Sequence, residues 1–274
     1  MSATRTAIEN LRDIGPQFTV AEPATAFIVS LLVVLALFLT GDARGAHSVS
    51  RDKPVPILMY HVIAPPPAGV AFPDLFVQPS DFTAEMDWLA QQGFHAVTLH
   101  QVWDYWHAGG SLPHRPIVIS FDDGYLSQAT KALPELRKFH WHGVLNLKVN
   151  AVQKYNLPFW RVRTMIKAGW EIDAHTITHP DLTTVDDRRL WNEVDGSRVD
   201  LRHMFHVPVD FFCYPSGRYD AHVIDAVRRA GYLAATTTNY GLARPASPYT
   251  LSRVRINGSD GLRGFEHKLR ALVP

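Results

Sequence analysis

Arg115 to Gly124 reads RPIVISFDDG. Ile117, Val118, Ile119 and Phe121 make a run of apolar residues, β-branched but for Phe121, bounded by Pro116 and Gly124. Such a run predicts a strand buried on both faces. It ends on Asp122-Asp123-Gly124, residues suited to a tight turn. Outward from it, short apolar runs alternate with stretches of helical periodicity. Val55–Tyr60 (VPILMY), Ala96–Leu99, Val144–Val149, Glu171–Ala174, Val209–Tyr214 and Tyr232–Thr236 read as strands. Asp81–Gln92, Ala129–His140, Trp160–Ala168, Asp187–Phe205 and Ala221–Ala230 read as helices, three of them closed by Gly93, Gly169 and Gly231. In Asp187–Phe205, Leu190, Val194, Leu201 and Phe205 fall on one face. Strand and helix in alternation are the mark of parallel βαβ units. We expect an α/β fold over residues 54–274, an irregular (β/α) barrel of about 7–8 units. An open doubly wound sheet is the alternative. Pro65-Pro66-Pro67 makes a stiff loop after the first strand.

The N-terminal region is of a different kind. Ala24 to Thr40 (ATAFIVSLLVVLALFLT) carries no charge and reaches the lower limit, about 17 residues, for crossing a bilayer core. Arg5, Glu9, Arg12, Asp13 and Glu22 precede it; Asp42, Arg44, Arg51 and Lys53 follow. The expected order is a tail at 1–23, a transmembrane anchor or signal segment at 24–40, a polar linker at 41–53, and then the α/β domain at 54–274. Gly41-Asp42-Ala43 offers small residues for cleavage, while the long lead of mixed charge favours a retained anchor. The run has no polar face and does not suit a helix of a water-soluble core. Basic residues on both flanks leave its orientation open.

Composition narrows the chemistry. A net charge of +1, with no run of Lys or Arg, gives no footprint for nucleic acid. Cys213 is the only cysteine, so an intramolecular disulfide and a Cys-rich zinc module are both excluded. Any metal must be held by carboxylates and some of the 14 histidines.

In barrels of this kind the active site lies at the C-terminal ends of the strands. The polar residues that directly follow predicted strands are His61, Asp122-Asp123-Gly124, the run His175 to Pro180 (HTITHP), and Pro215-Ser216-Gly217. Singly, each suits a turn or a loop. Together they place two carboxylates and two histidines on one face, enough for an N,N,O ligand set with a carboxylate to spare. Three protein ligands and an open position are the pattern of catalytic zinc. The spare acid could take a proton from the metal's water.

At these residues the sequence resembles the polysaccharide deacetylases, the NodB-homology proteins of carbohydrate esterase family 4. Ser120-Phe121-Asp122-Asp123-Gly124 resembles that family's first motif, and His175 to Pro180 matches its His-Ser/Thr-x-x-His-Pro motif without departure. The resemblance runs from about Pro54 to the C-terminus and implies the family's deformed barrel. It implies that Asp122 is the general base and that Asp123, His175 and His179 hold a divalent metal, Zn²⁺ being the expected ion. It also implies that the loop Tyr214-Pro215-Ser216-Gly217 binds substrate, with the Ser216 N–H at the oxyanion. Two departures stand out. Cys213 replaces the arginine that orients the base in the wider family. No histidine occupies the tail segment that carries the family's catalytic one, since His267 lies beyond it. Met59-Tyr60-His61, Tyr214-Pro215-x-Gly217 and Arg253-x-Arg255-x-Asn257-Gly258 resemble the branch that deacetylates poly-N-acetylglucosamine. That branch implies His61 as the acid protonating the leaving amine. The expected partner is an N-acetylated glycan; peptidoglycan, a chitin-type oligosaccharide or a lipid-linked sugar would be served by the same residues. A sugar-binding module without catalysis would lack a ligand or the base, and neither is missing. With its substrate outside the cell, the protein is expected in a bacterial inner membrane, single-pass, with the catalytic domain periplasmic or otherwise extracytoplasmic.

Overall fold

The computed structural model describes residues 51–153 and 156–273. The expected tail, the membrane segment at 24–40 and most of the linker lie outside the described residues. Among the described residues, no helix is long and apolar enough to cross a membrane.

The strands are β1 (Ile57–Tyr60), β2 (Val62–Ile63), β3 (Phe76–Val77), β4 (Phe94–Ala96), β5 (Arg115–Asp122), β6 (Val144–Leu147), β7 (Glu171–Ala174), β8 (Phe211–Cys213), β9 (Ala234–Tyr240) and β10 (Leu251–Arg255). Eight of them form one sheet in the order β1-β10-β9-β8-β7-β6-β5-β4, and β1 also pairs with β5. That extra pairing closes a barrel of parallel strands and leaves β4 outside the ring. β4 pairs with the first three residues of β5, and β1 with Val118 to Phe121. β2 and β3 make a small parallel ribbon of their own. The closed ring decides against the open doubly wound sheet.

The helices are α1 (Pro79–Gln91), α2 (Leu99–His107), α3 (Leu133–Arg137), α4 (Val149–Gln153), α5 (Phe159–Lys167), α6 (Asp187–Trp191), α7 (Ser197–Phe205), α8 (Ala221–Arg229) and α9 (Gly261–Leu272). Four regions differ from the sequence expectation. The strand expected at 96–99 ends at Ala96, and Leu99 opens α2. Thr98 and Gln101 form a reciprocal cap: the Thr98 hydroxyl accepts from the Gln101 N–H at 3.2 Å, and Gln101 Oε1 accepts from the Thr98 N–H at 2.8 Å. That cap starts a helix despite the apolar neighbours. The helices expected at 129–140 and 187–205 each contain a wider π-helical segment, Gln128–Ala132 and Asn192–Gly196. β10 and α9 lie in the tail, where neither was expected.

The core has two parts. One apolar cluster draws Ile57, Val118, Val144, Phe211, Ala234 and Leu251 from six barrel strands and packs them with Leu99, Val102 and Trp106 of α2. On β7 the residue in register with Val144 is Glu171, whose carboxylate accepts the His100 N–H of α2 at 2.9 Å. The larger cluster lies between the outer face of the barrel and its surrounding helices.

Candidate active site

His61, Asp122, Asp123, His175, His179, Tyr214 and Ser216 line one cleft of about 420 Å³ at the C-terminal ends of the strands. Pro215, expected with them, is buried beneath its loop and does not line the cleft. Lys148, Arg253 and Arg255, to which no role was attached from sequence, do line it, as do Phe72 and Leu75.

The backbone around these residues is strained. Asp123 (φ 79°), Thr176 (φ 65°), His179 (φ 66°) and Ser216 (φ 52°) all sit in the left-handed region, which is costly for residues with a Cβ and gathers at functional sites. Gly124 follows at φ 79°; a Cβ there would lie 2.6 Å from Leu147 Cδ1, so the turn after Asp123 requires glycine. Buried side chains from the two π-helical segments hold the strained loops. Gln128 donates to the carbonyls of His61 (2.8 Å) and Asp122 (2.6 Å), tying the ends of β1 and β5 together. Glu193 accepts the amides of Ile177 (2.9 Å) and Thr178 (2.8 Å) and the Thr178 hydroxyl (2.5 Å), fixing the loop between the two histidines. π-helical turns of this kind recur at functional sites.

Asp122 is held on every side. Arg253 grips it in a fork, Nη1 to Oδ1 at 2.8 Å and Nη2 to Oδ2 at 2.9 Å, while Nε donates to the Thr237 carbonyl at 2.8 Å. Asn146 donates a further bond to Oδ1 at 2.7 Å. Burial alone would raise the pKa of this carboxyl; the Arg253 charge and its hydrogen bonds outweigh burial and hold it well below the usual carboxylate range. Cys213, where the wider family has its arginine, has a neutral thiol, pushed up to about 12 by burial, with Sγ 3.8 Å from Asp122 Oδ2. The missing arginine is thus supplied from β10. The alternation of Leu251-Ser252-Arg253-Val254-Arg255 was the signal for it: in a strand, both arginines face the same side.

His61 Nε2 lies 3.8 Å from Asp122 Oδ2, and its Nδ1 is buried with no hydrogen bond. Burial lowers its pKa to about 4, against the pull of Asp122. It is a neutral imidazole at pH 7.

Asp123, His175 and His179 offer three ligand atoms within 4.8 Å of one another. Each histidine places Nε2 3.7 Å from Asp123 Oδ1, a buried oxygen that accepts no hydrogen bond. Lys148 Nζ lies 3.1 Å from the same oxygen. His175 Nδ1–H donates to the Cys213 carbonyl at 2.7 Å, which leaves Nε2 as the lone-pair nitrogen, an arrangement common in metal-ligating histidines. A buried carboxylate oxygen facing two imidazole nitrogens, with the Lys148 ammonium beside it, fits a divalent cation. Asp122, His175 and Cys213 also come close together, but Asp122 is bound by Arg253 and the thiol is neutral, so that group suits a metal less well.

Comparison with known proteins identifies the family. Residues 109–235 match the polysaccharide deacetylase family model. The Bacillus subtilis polysaccharide deacetylase homologue YxkH is 30% identical over 220 residues, spanning 79% of this chain and 76% of that protein. The chain belongs to the polysaccharide deacetylase family. As a member the deacetylase is a hydrolase that cleaves carbon–nitrogen bonds of N-acetyl groups. It is 22% identical over 237 residues to the poly-β-1,6-N-acetyl-D-glucosamine N-deacetylase of Escherichia coli K12, covering 70% of this chain and 35% of that one. The crystal structure of a polysaccharide deacetylase from Bacillus cereus superposes with a TM-score of 0.71 at 27% identity, over 80% of this chain and 69% of that one.

Proposed function

We propose that the deacetylase is a metal-dependent enzyme that removes N-acetyl groups from an exopolysaccharide of poly-N-acetylglucosamine type. The observation that carries this reading is the pairing of a three-ligand cluster, Asp123-His175-His179, with a neighbouring carboxylate, Asp122, that Arg253 keeps ionised. The distant likeness to the E. coli enzyme supports the choice of polymer. Zn²⁺ is the ion the N,N,O set suits best. Once bound, the ion supplies Lewis-acid polarisation of the acetyl carbonyl and makes its water more acidic.

The side chains do the rest. Asp122 accepts a proton from the attacking water, whose oxygen joins the acetyl carbon. A carboxylate with so low a pKa is a weak base, and for that reason the site needs an acidified water. The same weakness makes Asp122 a ready donor in turn. His61 stands beside it, Nε2 3.8 Å from Asp122 Oδ2, near enough to take the proton by way of one water. The imidazolium then protonates the amine nitrogen as the carbon–nitrogen bond breaks, releasing acetate and a free amine. On the loop opposite, Pro215 has no N–H, and those of Gly217 and Arg218 go to the carbonyls of Tyr214 and Pro215. We assign the Ser216 N–H to the oxyanion. The Tyr214 hydroxyl donates to the Tyr249 carbonyl at 3.1 Å, so its ring serves as wall. We also assign residues 24–40 as the membrane anchor, with the catalytic domain on the periplasmic face.

The test is acetate release from a panel of N-acetylated glycans. Chelation should abolish it and zinc restore it. His175→Ala should lose the metal, because two ligands hold zinc poorly. His61→Ala should keep the metal and lower the rate by about 10²–10⁴-fold. A His61→Ala enzyme with the normal rate would remove the relay, and turnover on peptidoglycan alone would reassign the polymer.

A further inference from the structure

Three fixed cations line the cleft: Lys148, Arg253 and Arg255. Two have carboxylates of their own, Lys148 beside Asp123 and Arg253 on Asp122. Arg255 does not. Its guanidinium is half-buried, and burial and the neighbouring charge of Arg253 lower its pKa against the pull of Asp122, with no hydrogen bond contributing. Its backbone is fixed nonetheless. The Arg255 carbonyl accepts from Lys268 Nζ at 2.9 Å, and the next amide, Ile256 N–H, donates to the Met59 carbonyl at 3.2 Å. Beyond it the Gly258 N–H donates to the Asp74 carbonyl at 3.0 Å. A Cβ on Gly258 would sit 2.0 Å from the Phe76 carbonyl oxygen, so only glycine lets the two segments meet. Asn257-Gly258 thus pins the Phe72–Leu75 rim to the turn after β10, and Arg255 stands on a rigid wall.

The cleft is therefore cationic. Three cations against Asp122 and Asp123 leave a net charge of 3 − 2 = +1 before the histidines are counted, and a divalent metal would raise it further. The reaction itself turns a neutral amide into a basic amine, which carries positive charge whenever it is protonated. A glycan that has been acted on presents positive charge to a positive wall.

We propose that Arg255 is a specificity-determining residue: its unpaired charge disfavours glycan already bearing a free amine near the cleft. The enzyme accordingly prefers fully N-acetylated stretches and spaces its deacetylated sites. The inference rests on the N-acetylated glycan substrate proposed above.

Two N-acetylglucosamine hexamers separate the cases, one fully acetylated and one with a single internal free amine. With full-length, zinc-loaded protein, wild type should show a kcat/KM on the order of three- to tenfold higher for the acetylated hexamer, the worth of one charge pair in a wet cleft. The preference should shrink at high salt. R255Q should bring the ratio close to one, while R255K, which keeps the charge, should retain most of it. Calorimetry on metal-free protein should give the same order of hexamer affinities in wild type, and no order in R255Q. An unchanged ratio in R255Q, or a ratio near one in wild type, would overturn the inference. Wild type that releases no acetate from either hexamer would instead remove the substrate reading, and the inference with it.

Discussion

Two buried carboxyls lie on opposite sides of β1. Tyr60 turns outward and donates its hydroxyl to Glu85 on α1 at 2.7 Å; the next residue, His61, turns inward and lies 3.8 Å from Asp122 on β5. Both carboxyls are almost fully buried. Glu85 has one hydrogen bond, its other oxygen has none, and burial pushes its pKa up to about 8. Asp122 has a guanidinium fork and an amide, and it stays ionised. Burial neutralises a carboxyl unless a dedicated partner opposes it. The protein supplies that partner on the side of β1 where the proposed proton acceptor lies, and not on the other.

Asp122→Asn should break the contrast most severely. It removes the proposed proton acceptor, and acetate release should fall by about 10²–10⁴-fold while zinc content stays that of wild type. Arg253→Met comes next. It leaves Asp122 buried without a counter-charge and should cost about 3–5 kcal/mol in denaturant unfolding. Asp122, depressed in the wild-type fold, contributes stability that is present above its unfolded pKa and lost as pH falls through the folded one. In Arg253→Met that contribution should vanish, and the acid limb of the pH–rate profile should move to higher pH. The smallest effect belongs to Glu85. Its folded pKa is raised, so its contribution is fully present below about pH 4.5 and lost as pH rises through about 8. Melting temperature should therefore decline between about pH 4.5 and about pH 8 in wild type. Glu85→Gln should flatten that decline and leave acetate release unchanged. A flat wild-type profile would mean that Glu85 is ionised like Asp122 and that the contrast is absent.

Much of this was legible in the sequence. IVISF and the alternating helices announce a parallel barrel because burial on both faces leaves an unbroken apolar run. Asp122, Asp123, His175 and His179 stand out because they follow strands directly. Arg253 belongs to the Arg-x-Arg-x-Asn-Gly motif, but nothing in that motif marks it as the clamp on Asp122. The two are 131 residues apart in sequence, and only closure of the ring through β1 and β10 brings them together. α2 was missed because Val97 and Leu99 resemble strand residues; the Thr98-x-x-Gln101 cap outweighs them. The π-helical turns were not legible, because the apolar spacing that predicts a helix does not distinguish a single widened turn. What those turns achieve, the inward placement of Gln128 and Glu193, depends on loops distant in sequence.

The account stands or falls on whether Asp123, His175 and His179 hold a metal that Asp122 needs but does not bind. The measurement is metal content and acetate release on the same preparations of wild type, Asp122→Asn and Asp123→Asn, each stripped by chelation and then titrated with zinc. Stripped wild type should be inactive and regain turnover as it takes up a single zinc per chain. Asp122→Asn should take up zinc with the same affinity and stay inactive, and Asp123→Asn should bind it more weakly. Full turnover by wild type shown to be free of metal, or equal zinc affinity in all three proteins, would contradict the account.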